Sequence, residues 1–467
     1  MASKKQYIEI LNAALSTGAD FAELFYENRI SKGVSLENGK VETAAASNSH
    51  GVGIRLLSGL KSVYGYTNDT SHKAVLQLAS SLANSFEEQQ KITVEKLTNR
   101  IVKNNHPVKI SYKDTSIEKI VNYLKPAGKI IKEFDKKIIR SKVNLSCSCV
   151  ENTIINSDGN IFKNYKEFGR VGIIAVANEG EKFETGYESA GSMSGFEFFT
   201  DKTDIISLAK KAAKASLIML TAKDCPSGKM PVVIANGNGG VLFHEACGHP
   251  LEASSVSKNL SVFSNKLGEQ IASKIVSAVD DGTLPNEWGS NNIDDEGNKT
   301  QRTILIENGI LKNYLIDNFN GRRMNAKGNG ACRRESYRFE PTSRMSNTFI
   351  CNGKSTPEEI IKSTKLGLYA KTLSGGSVNP STGEFNFGCS EAYIIRNGEI
   401  AEPVRGASLI GSGKEILMNI DMVGNDLAYS QGYCSAASGS VPVDVGQPTI
   451  RISEITVGGN GGELKWN

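Results

Sequence analysis

The segment Val241-Leu242-Phe243-His244-Glu245-Ala246-Cys247-Gly248-His249-Pro250-Leu251-Glu252 holds two of the five histidines of the chain, with a carboxylate directly after the first. Neutral imidazoles are zinc ligands, and a carboxylate beside the metal can take a proton from water whose pKa the metal lowers to about 7. His244 and His249 are therefore candidate metal ligands and Glu245 a candidate general base. In the zincin pattern H-E-x-x-H both imidazoles lie on one helical face; here one more residue separates them. Five residues rotate by roughly 140° on a regular helix. Shared coordination thus requires an i→i+5 bond, a missing i→i+4 bond, or a helix end between Ala246 and Pro250. Gly248 and Pro250 supply the means: proline has no N–H for the carbonyl of Ala246, and glycine tolerates distortion. The competing reading of the bare pattern is two unrelated histidines on a buried helix.

A catalytic zinc usually has three protein ligands. His50, His72 and His106 all fall in the other half of the chain, which leaves a cysteine or a carboxylate. Eight cysteines stand at positions 147, 149, 225, 247, 332, 351, 389 and 434, without a C-x-x-C pair. Spacing does not choose among them, and Cys247 reads as packing. Glu252, three residues after His249, is a candidate partner for an imidazole N–H. The acidic run Asp294-Asp295-Glu296 does not fit an EF-hand loop and reads as a solvated turn or a loop on the substrate side. Asn236-Gly237-Asn238-Gly239-Gly240 lacks the G-K-[ST] of a phosphate loop, so close backbone packing before the metal-binding helix accounts for it.

The elements that must position these groups are legible in outline. Tyr7, Ile8, Leu11 and Leu15 form one stripe of a helix over residues 5–16, and further helices are expected at 71–85, 115–136 and 202–220. Strand-like runs occur at Phe21–Tyr26, Gly33–Leu36, Val52–Leu57, Lys61–Tyr66, Val150–Ile155 and Ile161–Tyr165. Turn signals at Asn38-Gly39, Ser58-Gly59 and Asp158-Gly159 separate several of them. Texture changes near Asp224-Cys225-Pro226-Ser227-Gly228, after which hairpin signals recur at Asn308-Gly309 and Asn397-Gly398. Thr356-Pro357-Glu358-Glu359 marks a helix start with a capping box. The fold class is α+β: an N-terminal domain (residues 1–222) of mixed antiparallel sheet with helices, then a β-rich C-terminal domain (223–467) carrying one metal-binding helix.

Composition removes other classes. At 467 residues the chain exceeds a single core, and 39% hydrophobic with 22% charged residues is ordinary for a globular protein. A net charge of +4, with both signs interspersed, leaves no footprint for direct nucleic-acid binding. No run of about 18 apolar residues or signal-peptide core is present, so no membrane association and a cytoplasmic location are expected.

The histidine segment resembles the H-E-A-x-G-H motif of the TldD subunit of the TldD/TldE (PmbA) peptidases. Further matches are Gly51-Val52-Gly53-Ile54-Arg55, Ile293-Asp294-Asp295-Glu296-Gly297, Ile306–Lys312, Arg344-Met345-Ser346-Asn347-Thr348 and Ser440–Pro448. This resemblance implies a zinc peptidase acting on unfolded or extended peptides, as a homodimer or as a heterodimer with a TldE/PmbA-like subunit. It also implies that Cys434, shortly before the Ser-Val-Pro-Val segment, is the third ligand. Ser435-Ala436-Ala437 departs from the Gly-Lys-containing turn usual there, which puts substrate preference in doubt more than ligation. Two alternatives stay open: a peptide-binding or regulatory module of the gyrase-modulator type, and a cysteine hydrolase using Cys434 or Cys247. A peptide docking as an added β-strand would gain affinity from its backbone and modest selectivity from shallow pockets.

Overall fold

The computed structural model describes residues 3–379 and 381–465. One sheet gathers the first half of the chain in the order Lys61–Thr67, Lys40–Ser58, Phe21–Glu37, Ile138–Asn156, Asn160–Glu179. Lys182–Ser192 and Thr98–Arg100 also pair with the last of these. The strands are longer than the hydrophobic pattern predicts. Phe21–Tyr26 and Gly33–Leu36 are parts of one 17-residue strand, and Val52–Leu57 is the buried end of a 19-residue strand. The intervening Glu27–Lys32 is polar and shows no alternation, yet antiparallel pairing to Asn152–Cys147 carries the ladder through it.

The helices fall where the apolar stripes place them: Lys4–Leu15, His72–Ala83, Ile117–Phe134 and Ile205–Leu220. The first two bury Tyr7, Leu11, Leu15 and Val75 against Leu24, Ile54 and Leu56. The other two cover Val143, Leu145, Val171 and Ile173 of the same sheet.

From residue 223 onward the chain is dominated by strands. A six-stranded sheet runs Ile310–Leu311, Arg302–Glu307, Ala278–Asp281, Asn347–Ile350, Gly439–Gln447, Ala428–Ala436. An eight-stranded sheet includes Gly228–Ile234, Leu366–Val378, Glu384–Arg396 and Ile450–Gly458. The largest apolar core of the molecule takes in Leu242, Phe243, Ala246, Cys247 and Leu251, so the histidine turn is part of it. Thr356 and Glu359 form the expected capping box. Gly240 abuts the backbone of Gly446, where a Cβ would fall 2.5 Å from its nitrogen; this is the close packing expected before the histidine turn.

The acidic run Asp294-Asp295-Glu296 is not a solvated turn. All three residues are buried, at 1–3% exposure. Arg55 of the first sheet donates to Glu296 at 2.6 Å and to Glu23 at 3.2 Å, and Arg334 pairs with Glu23 and binds the carbonyl of Asp295. The Asp294 carboxylate accepts the backbone N–H groups of Glu296 and Asn298 at 3.0 and 2.8 Å. Buried charges are tolerated only when paired or hydrogen-bonded, and here the pairing joins the first sheet to the rest of the chain. Among the described residues, no helix is long and apolar enough to cross a membrane.

Candidate metal centre

The helical turn that begins at Val241 widens at the first histidine. Residues His244–Gly248 form a π-turn in which the N–H of His249 bonds the carbonyl of His244, an i→i+5 link. A 3₁₀ turn, His249–Leu251, follows and ends the helical segment. The extra residue per turn cancels the divergence that five residues would produce on a regular helix, and the two rings come to 5.0 Å between centroids.

Gly248 earns its place for a different reason than conformational freedom. Its φ of −56° and ψ of −57° are open to any residue. A Cβ there would instead fall 2.1 Å from Sδ of Met345, a fully buried side chain. Met345 presses on the widened turn, and only a hydrogen fits between them.

Both imidazoles point at one sulfur. Nε2 of His244 lies 3.3 Å from Sγ of Cys434 and Nε2 of His249 lies 3.2 Å from it. Among the described residues these three form a group whose donor atoms all lie within 4.8 Å of one another. Cys434 stands on the edge strand Ala428–Ala436, against Val441 of the neighbouring strand. His244 and Cys434 are buried and His249 is partly so. Two imidazole nitrogens and a thiol, converging from a turn and a strand, are a donor set suited to a borderline-soft divalent ion.

The surroundings tune these donors. Burial by itself would raise the Cys434 thiol, but His244 and His249 overcome it and push it down to about 4, which favours the thiolate form. Cys247, in contrast, is fully buried in the core and pushed up, as an inert thiol should be. Glu252 accepts a hydrogen bond from Nδ1 of His249 at 3.2 Å, which orients the ring with Nε2 facing the sulfur. Burial disfavours charge on His249, yet the carboxylate of Glu252 and the sulfur of Cys434 raise its pKa well above the ordinary value. Glu245 sits one residue after His244 with a quarter of its side chain exposed, and its Oε2 is 3.8 Å from Nε2 of His249.

Sequence reasoning missed the residue that braces this arrangement. Arg344 is fully buried and donates to the carbonyl of Cys434, to Oγ of Ser438 at 2.9 Å and to the carbonyl of Gly439 at 2.8 Å. Its Nε is also 3.9 Å from Glu252. One guanidinium thus fixes the turn after Cys434 and stands beside the carboxylate that orients His249. Its neighbour Met345 packs on Gly248, so the segment Arg344-Met345 supports both the histidine turn and the strand that carries Cys434. The only signal for it was its place in the Arg344-Met345-Ser346-Asn347-Thr348 match. His50, His72 and His106 take no part in this cluster.

The chain is similar to known proteins over nearly its whole length. Three models of the PmbA/TldA metallopeptidases match the chain: domain 1 over residues 22–85, the central domain over 110–220 and the C-terminal domain over 227–459. The metalloprotease TldD homolog of Buchnera aphidicola subsp. Schizaphis graminum is 37% identical over 449 residues, covering 94% of this chain and 93% of that one. The TldD homolog of Haemophilus influenzae is 34% identical, covering 98% and 96%. The crystal structure of TldE from Thermococcus kodakarensis shares the fold, with a TM-score of 0.78 at 18% identity, covering 98% of this chain and 100% of that one. The chain therefore belongs to the TldD/PmbA family and is a metallopeptidase.

Proposed function

We propose that the protein is a zinc peptidase that cuts unfolded or extended peptides, with His244, His249 and Cys434 as metal ligands and Glu245 as general base. The observation that carries this reading is the convergence of both Nε2 atoms on Sγ of Cys434 at 3.2–3.3 Å across a π-turn. When bound, zinc would supply Lewis acidity, polarising the substrate carbonyl and easing ionisation of water. Glu245, beside the ligands and still open to solvent, accepts the proton of the attacking water and returns it to the departing amine. Glu252 keeps the proton of His249 on Nδ1, so that Nε2 offers a lone pair. Arg344 holds the Cys434 turn in place. A nucleophilic role for Cys434 would leave Glu245 without a task.

Docking by strand addition has limited room beside Cys434. On the edge strand Ala428–Ala436 the carbonyls of Gln431, Gly432 and Cys434 accept hydrogen bonds from Arg170, Trp288 and Arg344, and since successive carbonyls alternate between the two edges of a strand, at least one of them lies on the free edge. A peptide laid there gains a short backbone ladder, and side-chain or terminal contacts must add to its affinity. We further propose a dimeric enzyme, either of two such chains or with a TldE/PmbA-like subunit, working in the cytoplasm, where its cysteines stay reduced. A peptidase assay on casein-derived unfolded peptides, with chelator and with zinc added back, tests the activity. Cleavage that chelator abolishes and zinc restores supports it, and chelator-resistant cleavage overturns it. Light scattering that finds only monomer would remove the dimer.

A further inference from the structure

A cavity of about 180 Å³ opens between the first sheet and the strands around Cys434. Its charged walls are Arg29, Lys166, Arg333, Arg334, Asp295 and Glu335, four cations against two carboxylates. It also reaches Val441, the cross-strand partner of Cys434. Directly opposed residues of an antiparallel pair have Cα atoms about 5 Å apart, so one wall of the cavity lies a single strand spacing from the proposed metal ligand.

Most of these charges are already engaged. Arg29 pairs with Glu27 at 3.3 Å, and Arg334 pairs with Glu23. The Asp295 carboxylate accepts the backbone N–H of Arg334 at 2.7 Å, and that of Glu335 accepts the N–H of Ser440 at 2.7 Å. Lys166 and Arg333 are different: among the described residues neither has a carboxylate oxygen within 4.0 Å. Arg333 is only 5% exposed, and among the described residues its side chain makes one hydrogen bond, to the carbonyl of Met345 at 2.6 Å. Burial holds its guanidinium down to about 10 in spite of Asp295, with Arg344 acting in the same sense as burial. Asp295, Asp280 and the sulfur of Cys434 act on Arg333 only from a distance; a buried cation without a direct ion pair is costly, and one that lines a cavity is relieved by an anion entering it.

We propose that this cavity receives a carboxylate of the peptide substrate, paired with Lys166 and Arg333, and so makes the enzyme selective for peptides that present an anionic group near the cut. The inference rests on the peptidase reading for the identity of the ligand but not for the existence of the site. The carboxylate is either the C-terminal one of the peptide or that of an Asp or Glu side chain. Guanidinium and ammonium groups are suited to either, because both form charge-assisted hydrogen bonds to carboxylate oxygens.

The test uses the full-length zinc-loaded protein and three probes: N-acetyl-Ala-Ala, its C-terminal amide, and N-acetyl-Glu-Ala-amide. Binding is measured by calorimetry, independently of turnover. At least one of the two carboxylate probes should bind about tenfold or more tightly than the neutral amide, and which one does so identifies the source. Lys166→Gln and Arg333→Gln should each bring that preference close to unity while leaving affinity for the amide unchanged. Lys166 is only partly buried, so its variant keeps the test valid if Arg333→Gln folds poorly. Equal binding of all three probes, or an undiminished preference in Lys166→Gln, would overturn the inference. If the enzyme cuts no peptide yet shows a preference that Lys166→Gln abolishes, the peptidase reading falls and the carboxylate site stands.

Discussion

Replacing Gly248 with alanine isolates the contact that sets the shape of the histidine turn. The new Cβ would lie 2.1 Å from Sδ and 3.1 Å from Cε of Met345, against a normal carbon–sulfur separation near ~3.8 Å. Met345 is fully buried, so it has little space to retreat into. Overpacking of this kind costs ~1–3 kcal/mol. Alanine in place of glycine at helical dihedrals returns ~0.5–1 kcal/mol, so a net loss of ~0–2.5 kcal/mol in unfolding free energy is expected. The displaced turn carries His249 away from Cys434, and zinc affinity measured by chelator competition should fall by about tenfold or more. The same substitution in a Met345→Ala background removes the clash. There, Gly248→Ala should be neutral or stabilising by ~0.5–1 kcal/mol, even though Met345→Ala itself costs ~2–5 kcal/mol. Urea unfolding of the four proteins gives the coupling. An equal cost of Gly248→Ala in both backgrounds would refute the role assigned to Met345.

Other perturbations follow from the same geometry. Glu245→Gln should retain zinc, because the side chain is not a proposed ligand, while losing nearly all hydrolysis in a peptide assay; near wild-type turnover would eliminate Glu245 as the base. Arg344→Met should lower unfolding free energy by ~3 kcal/mol or more, since it leaves the carbonyls of Cys434 and Gly439 and the carboxylate of Glu252 short of donors; a change under 1 kcal/mol on denaturant unfolding would contradict the bracing role. A pH effect is expected at Asp444, where burial and then the charge of Glu287 push the carboxyl up to about 7. Its folded pKa exceeds the unfolded value, so the stabilising contribution is full below about pH 4 and is lost as pH rises through about 7. Stability should therefore fall as pH rises from about 4 to about 7, at a slope approaching ~1.4 kcal/mol per pH unit inside that window, and Glu287→Gln should flatten that slope; an unchanged profile in the variant would dismiss the pair.

What could be read in advance follows from where each determinant resides. The need for a widened turn was legible because helical pitch and the interval from His244 to His249 are both fixed by local sequence, and the i→i+5 bond meets it. Cys434 lies 185 residues beyond His249 and was reachable only through the matched segment around it, since no spacing rule links a turn to a distant strand. Arg344 acts largely on backbone carbonyls, which every residue possesses and which leave no trace in a sequence. The acidic run was misjudged for a similar reason: the arginine that satisfies Glu296 stands 241 residues earlier. The helices were found because burial imposes a 3.6-residue stripe. The long strands were found only where one face is buried, and the polar stretch Glu27–Lys32 continues by register alone.

Zinc K-edge X-ray absorption on the loaded protein tests the central claim most directly, because it reads the ligand set without reference to activity. The proposed site predicts one sulfur at ~2.3 Å and nitrogen or oxygen neighbours at ~2.0–2.1 Å, with the sulfur shell vanishing in Cys434→Ala. A first shell of nitrogen and oxygen alone in the unaltered protein, or a sulfur shell that survives Cys434→Ala, would contradict it.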